Sequence, residues 1–218
     1  MANGEVVTMQ RLDRNVGVLS KSSHSRVMAL LRAQTAPLHF EFEQKLDLFT
    51  RVNTLIDYRQ LLGRFYGFYS PLERVLWRAL APLKQELMLD KRRKAPLISA
   101  DLSVCGLSDG AIVELPRWQQ IAPFPSISQA LGQLYVLEGT TLGGQVSTRH
   151  FRRLLALKKT AGLSFFYSYG LDVPQRWRQF CDVVSDHVRT PAQEDLMVNA
   201  AIDTLEMLRS WMIGKEGH

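Results

Sequence analysis

The residue types able to do chemistry gather in two short stretches. In the first, a helix of about 3.6 residues per turn puts Arg32, Thr35, His39, Glu43 and Leu46 on one face, bordered by Met28, Leu31, Leu38, Phe42 and Phe49. A single imidazole therefore emerges from a largely apolar wall. That arrangement suits axial ligation of iron in a flat macrocycle such as heme. The neutral ring nitrogen binds the metal, apolar neighbours such as Phe42 cover the disc, and Glu43 is placed to orient the imidazole. Arg32, two turns before His39, is placed to meet an acidic substituent of such a ligand. A helical histidine beside a glutamate is also an ordinary structural pair, so this stretch alone leaves both readings open.

The second stretch reads Tyr-Val-Leu-Glu-Gly-Thr-Thr-Leu-Gly-Gly-Gln over residues 135–145, inside a helical pattern. Each helical glycine costs about 1 kcal/mol relative to alanine, so Gly139, Gly143 and Gly144 together imply a local disadvantage of about 2 to 3 kcal/mol. Something must offset it. Gly139 and Gly143 lie one turn apart, where missing side chains would admit a flat ligand to the backbone and leave room for dioxygen. Close helix packing is the other use of such a pair. A phosphate-binding loop fits poorly, because Gln145 and Val146 stand where its Lys and Ser/Thr belong, and no GxGxxG dinucleotide fingerprint occurs.

The elements that must position these stretches are helical. Apolar residues recur at helical spacing with few alternating segments, which predicts an all-α fold. Residues 1–24 read as a mobile arm, 25–213 as one helical domain, and 214–218 as a tail. Ser25 is expected to cap a helix over 25–49, kinked at Pro37, and Asp57 to cap a second helix from Tyr58 towards Pro82. The aromatics Phe65, Tyr66, Phe68 and Tyr69 on the second helix read as core. Shorter pieces are expected between Pro82 and Pro125, including one over 101–106. Ser126 or Ser128 should open a long helix to Leu157, a Tyr/Gly-rich loop should follow near 167–174, and helices over 177–187 and 192–211 should close the chain.

The bulk composition narrows the function classes. With 218 residues and 46% hydrophobic content, the chain can bury one substantial core. The longest uncharged interior run, 118–137, carries two prolines, so no membrane span is expected. The first 21 residues are polar and lack the apolar centre of a secretory signal, which gives a cytoplasmic expectation. The two cysteines, Cys105 and Cys181, suit reduced thiols. A net charge of +6 favours an anionic partner. Its cations fall in short groups at 91–94, 149–153 and 158–159, without a zinc-finger or RNA-binding signature. They read mostly as solvated surface, and nucleic acid is not expected.

Taken together, the Arg-x-x-Thr-x-x-x-His-x-x-x-Glu run over 32–43 and the Glu-Gly-Thr-Thr-Leu-Gly-Gly-Gln run over 138–145 resemble the proximal and distal helices of the heme oxygenase family. The bacterial biliverdin-producing branch, which often accompanies bilin-dependent photoreceptors, is the most similar. The Phe-Tyr-Ser-Pro-Leu-Glu segment over 68–73 and Asp101-Leu102 occur in family-like order, so the resemblance spans roughly 27–211.

The resemblance implies a heme that is both substrate and oxygen-activating cofactor, cleaved with dioxygen and external electrons to biliverdin, carbon monoxide and iron. It makes His39 the iron ligand and Arg32 a propionate contact, with Thr35, Phe42 and Glu43 around the heme. Gly139, Thr140, Gly143 and Gly144 form the distal surface. Thr140 departs from the animal pattern, which has an aspartate there. An acidic ferredoxin or flavodoxin is implied as electron donor, and a bilin-accepting photoreceptor as a recipient. Two alternatives remain beside it: a protein that holds heme or bilin without cleaving it, and a non-heme metal oxidase. The second lacks the Glu-x-x-His pairs such bundles use.

Overall fold

Helices and the turns between them account for the computed structural model, which describes residues 26–121, 126–157 and 161–214 and contains no strand among them. The first helix, α1 (Arg26–Leu46), carries Pro37 without interruption, and a short α2 (Leu48–Arg51) follows a left-handed Asp47. The expected Ser25 cap lies outside the described residues.

The long α3 (Leu55–Ala79) starts three residues before the sequence reading places it. Thr54, not Asp57, is its N-cap. Thr54 Oγ1 accepts from the Asp57 amide at 3.2 Å, while the Asp57 carboxylate accepts from the Thr54 amide at 2.9 Å. Asp57 is thus the far arm of a reciprocal capping box, and the helix runs on through Pro71 to Ala79. Of its aromatics, Phe65, Phe68 and Tyr69 are buried as expected, while Tyr66 is only half-buried at the edge of the core.

Short pieces follow, as anticipated: α4 (Lys84–Leu87), α5 (Ala95–Val104) and α6 (Asp109–Val113), with 3-10 turns at Ala81–Leu83 and Leu89–Lys91. Ser126 caps α7 (Ile127–Leu142) by accepting from the Gln129 amide at 3.3 Å. The expected single helix to Leu157 is instead two, because the chain breaks at Gly143 and resumes as α8 (Gly144–Leu154). A short α9 (Ser164–Tyr167) and a 3-10 turn (Gly170–Asp172) occupy the Tyr/Gly-rich stretch. The chain closes with α10 (Val173–His187) and α11 (Pro191–Ile213), the latter capped by Thr190.

The buried core centres on α3, α7 and α11. The most extensive helix contact is α7 on α11, followed by α1 on α11, and α3 meets both α5 and α7. Both α1 and α7 pack on α11, and residues of both line a shared cavity. No described helix is long and apolar enough to cross a membrane.

Candidate functional site

A cavity of about 670 Å³ opens beside α1. It is lined on that helix by Met28, Arg32, Thr35, His39, Phe40 and Glu43, and on the other side by Tyr135 and Leu142 of α7 and Trp177 of α10. Its volume falls in the range of small-molecule sites, and its walls are mostly apolar with a few polar groups on one helix stripe. The helical spacing of Arg32, Thr35, His39 and Glu43 brings all four to that wall. Phe42 is turned into the core, 6% exposed, and the neighbouring Phe40 lines the cavity instead.

His39 is the only described histidine at the cavity. Burial lowers its pKa to about 4, so the ring is neutral at physiological pH, the form that ligates metals. Its Nδ1 lies 3.6 Å from Glu43 Oε1, too long for a direct hydrogen bond yet close enough to bias the ring. Burial pushes the Glu43 carboxyl up to about 7, and Glu43 Oε2 is a buried oxygen with no hydrogen bond. Thr35 Oγ1 donates to Leu31 O at 2.7 Å and sits 3.5 Å from the Tyr135 hydroxyl, a polar point where α1 meets α7. The Tyr135 ring packs against Trp177 with centroids 5.7 Å apart.

On α7, Tyr135 and Leu142 fall on one stripe with Gly139 between them. A Cβ built on Gly143 would meet nothing within 4 Å, so this bare position borders open space. Gly144 differs: a Cβ there would stand 2.1 Å from the Phe166 carbonyl oxygen. The absent side chain of Gly144 is used by close packing on α9. Thr140 Oγ1 donates to Leu137 O at 2.8 Å and pairs with the Tyr69 hydroxyl at 2.8 Å, while Thr141 Oγ1 donates to Glu138 O at 2.7 Å. These hydroxyls compete for helix carbonyls just before the break.

A family model described as Heme oxygenase matches residues 25–213. The chain belongs to the heme oxygenase family. A heme oxygenase of Xanthomonas campestris pv. campestris (strain 8004) is 31% identical over 138 residues, covering 62% of this chain and 76% of that protein. Among solved structures, the NO- and CO-bound heme oxygenase of Neisseria meningitidis matches with a TM-score of 0.68 at 18% identity, covering 86% of this chain and 92% of that one. The Leptospira interrogans heme oxygenase matches with a TM-score of 0.64 at 16% identity, covering 87% and 99%. At these identities the two structures establish the fold.

This heme oxygenase family member also holds a buried ionic group that the sequence reading missed. Arg92 and Lys94 are each 1% exposed, a correction to the reading of residues 91–94 as solvated surface. The 3-10 turn and its exit alternate the run, leaving Lys91 and Arg93 outside and turning Arg92 and Lys94 inward. Arg92 Nη1 donates to Glu138 Oε2 at 2.5 Å, Arg92 Nε to Leu87 O at 2.6 Å, and Arg92 Nη2 to Arg176 O at 3.0 Å. The only sequence signal for this group was Glu138, an acid inside an otherwise apolar helix.

Glu73, from the 68–73 segment, is buried and caps α5 by accepting from the Lys94 amide at 2.5 Å and the Ala95 amide at 3.2 Å. Burial raises its pKa to about 7, against the pull of those amides. The folded chain therefore keeps a proton that the unfolded chain releases near pH 4.5, so the contribution of Glu73 to stability declines as pH rises from about 4.5 through about 7. The Glu73→Gln variant is expected to lose less stability than the parent between pH 5 and pH 8, measured as urea midpoints. Equal losses in both proteins would contradict the assignment.

Proposed function

We propose that this chain cleaves heme to biliverdin, carbon monoxide and iron, using dioxygen and electrons supplied from outside. One observation carries the reading: a half-buried, neutral imidazole set in a cavity of about 670 Å³ between α1 and the glycine-bearing α7. The pocket fits a heme on its own chemistry. Its walls are mostly apolar, the His39 imidazole lies on one of them, a buried Glu43 oxygen there is unsatisfied, and Tyr135 and Leu142 bring α7 to the other side.

His39 holds the iron, with Glu43 beside Nδ1 to fix the ring direction. Arg32 meets a propionate, Thr35 fixes the approach of α1 to Tyr135, and Met28, Leu142 and Trp177 keep water from the macrocycle face. Gly139 and Gly143 would leave room for a small diatomic against the α7 backbone. Thr140, bonded to the Tyr69 hydroxyl, lies within that stretch. Bound heme supplies the oxygen activation, and the protein supplies orientation and a closed surround. An acidic ferredoxin or flavodoxin suits the chain's positive charge as electron donor, and a bilin-accepting photoreceptor suits the product.

Anaerobic titration with heme, followed by dioxygen and a reducing system, tests this. Stoichiometric binding followed by loss of the heme spectrum, with biliverdin and carbon monoxide released, is the expected result. A heme spectrum that persists through reduction and oxygenation would instead identify a carrier.

Gly143 offers a separate test of the open wall. Because a Cβ there meets nothing within 4 Å and the position borders open space, Gly143→Leu is expected to fold with little change in melting temperature. Its heme complex should turn over at least about tenfold more slowly or yield a different biliverdin isomer, since about 1.4 kcal/mol of misplacement is enough. Parent-like turnover and product would remove Gly143 from the wall.

A further inference from the structure

The glycine segment of α7 is bracketed by anchors on both sides. At its start, the Glu138 carboxylate, 1% exposed, accepts from Arg92 Nη1 at 2.5 Å and from the Tyr169 hydroxyl at 2.8 Å and 3.0 Å. Lys94 Nζ stands 3.7 Å from the same carboxylate and 3.6 Å over the centroid of the Tyr169 ring. At its end, Gln145 Nε2 donates to Gly170 O at 3.0 Å, and Gly144 rests against the Phe166 carbonyl. Tyr169, Gly170 and Phe166 all belong to one strap, residues 164–172.

The strap is itself tied down at its origin. Buried Asp101 of α5 accepts from the Ser164 amide and the Phe165 amide, each at 2.8 Å. Between the anchors, residues 139–143 contain two glycines, two threonines that bond back onto helix carbonyls, and the helix break. Such a segment has little stiffness of its own. Its position relative to the cavity is therefore set by what grips its ends, together with the Tyr69 hydroxyl on Thr140.

We propose that Tyr169, Arg92 and Gln145 are positioning residues that hold the segment 139–143 at a fixed height over the cavity, through Glu138 on one side and the strap on the other. Burying Arg92, Lys94 and Glu138 costs desolvation that apolar residues of similar size would avoid, so the ionic group is a weak way to gain stability. What it adds is direction. Arg92 and Tyr169 fix the two Glu138 oxygens in a single geometry, which apolar contacts do not do. The consequence for chemistry rests on the heme-cleaving function proposed above. The mechanical claim does not.

Hydrogen exchange of the ligand-free protein reads the mechanical claim directly. In Tyr169→Phe, which keeps the ring over Lys94 and removes only the hydroxyl, amides of residues 139–143 are expected to exchange about tenfold faster, with those of α11 unchanged. Gln145→Ala should accelerate the same amides. Unchanged exchange in the segment would overturn the proposal, and so would an acceleration spread evenly over all helices. With heme and carbon monoxide bound, Tyr169→Phe should shift or broaden the C–O stretching band while heme affinity stays within about twofold of the parent. A parent-like band would confine the brace to a structural role and overturn its positioning of the site. Should the parent take up no heme at all, the function fails and the exchange result still decides the brace.

Discussion

Replacing His39 by alanine is expected to abolish heme turnover and weaken heme binding by about 100-fold or more. Loss of a partner behind a ligand typically costs about 10- to 100-fold, and loss of the ligand itself exceeds that. No described histidine stands ready to substitute. His150 stacks on Phe49 with centroids 4.7 Å apart, and His187 pairs with Glu86 at 2.8 Å, both away from the cavity lining. The variant should fold as well as the parent. Burial depresses the His39 pKa to about 4, so the substitution removes a neutral ring and no ion pair, and alanine is the best helix former. Circular dichroism would establish the fold, and added free imidazole should restore part of the heme spectrum. A His39→Ala protein with parent-like affinity and turnover would remove His39 from the site.

The second large effect concerns stability. Arg92→Met is expected to destabilise the chain by about 3 to 5 kcal/mol, because it leaves the Glu138 carboxylate buried with its closest cation gone. For a protein of this length that corresponds to a fall of about 6 to 20 °C in melting temperature. The carbonyls of Leu87 and Arg176 lose their donor in the same step. Adding Glu138→Leu should recover a large part of the loss, since removing both charges is far cheaper than removing one. Melting curves of the parent, both single variants and the double variant measure this coupling. A single-variant loss below about 1 kcal/mol would mean that Glu138 is solvated or neutral in the folded chain.

The two chemical stretches and the all-α class were legible because each depends on helical period alone. Arg32, Thr35, His39 and Glu43 share a face by spacing, and the structure puts a cavity against that face. The cap of α3 was legible in principle, since Thr54 precedes Asp57 by the interval of a capping box, yet an aspartate before an apolar run reads as the cap itself. Other features depend on what lies opposite. Whether Phe40 or Phe42 meets the cavity turns on the placement of α11 and α7 beside α1. The use of Gly144 comes from the close approach of the Phe166 carbonyl, a contact between residues 22 positions apart. Tyr135 and Trp177 line the cavity only because α7 and α10 pack together. The burial of Arg92 and Lys94 was hidden for the same reason: a run of cations reads as surface until an acid and an aromatic ring are brought to meet alternate members of it.

The central claim is that the His39 imidazole binds the iron of a heme seated between α1 and α7. Resonance Raman spectroscopy of the ferrous heme complex tests it most directly. An iron–histidine stretching band that shifts on labelling histidine with the heavy nitrogen isotope, and that disappears in His39→Ala, is the predicted result. The same band persisting in His39→Ala, or a parent spectrum with no histidine-sensitive band, would contradict it.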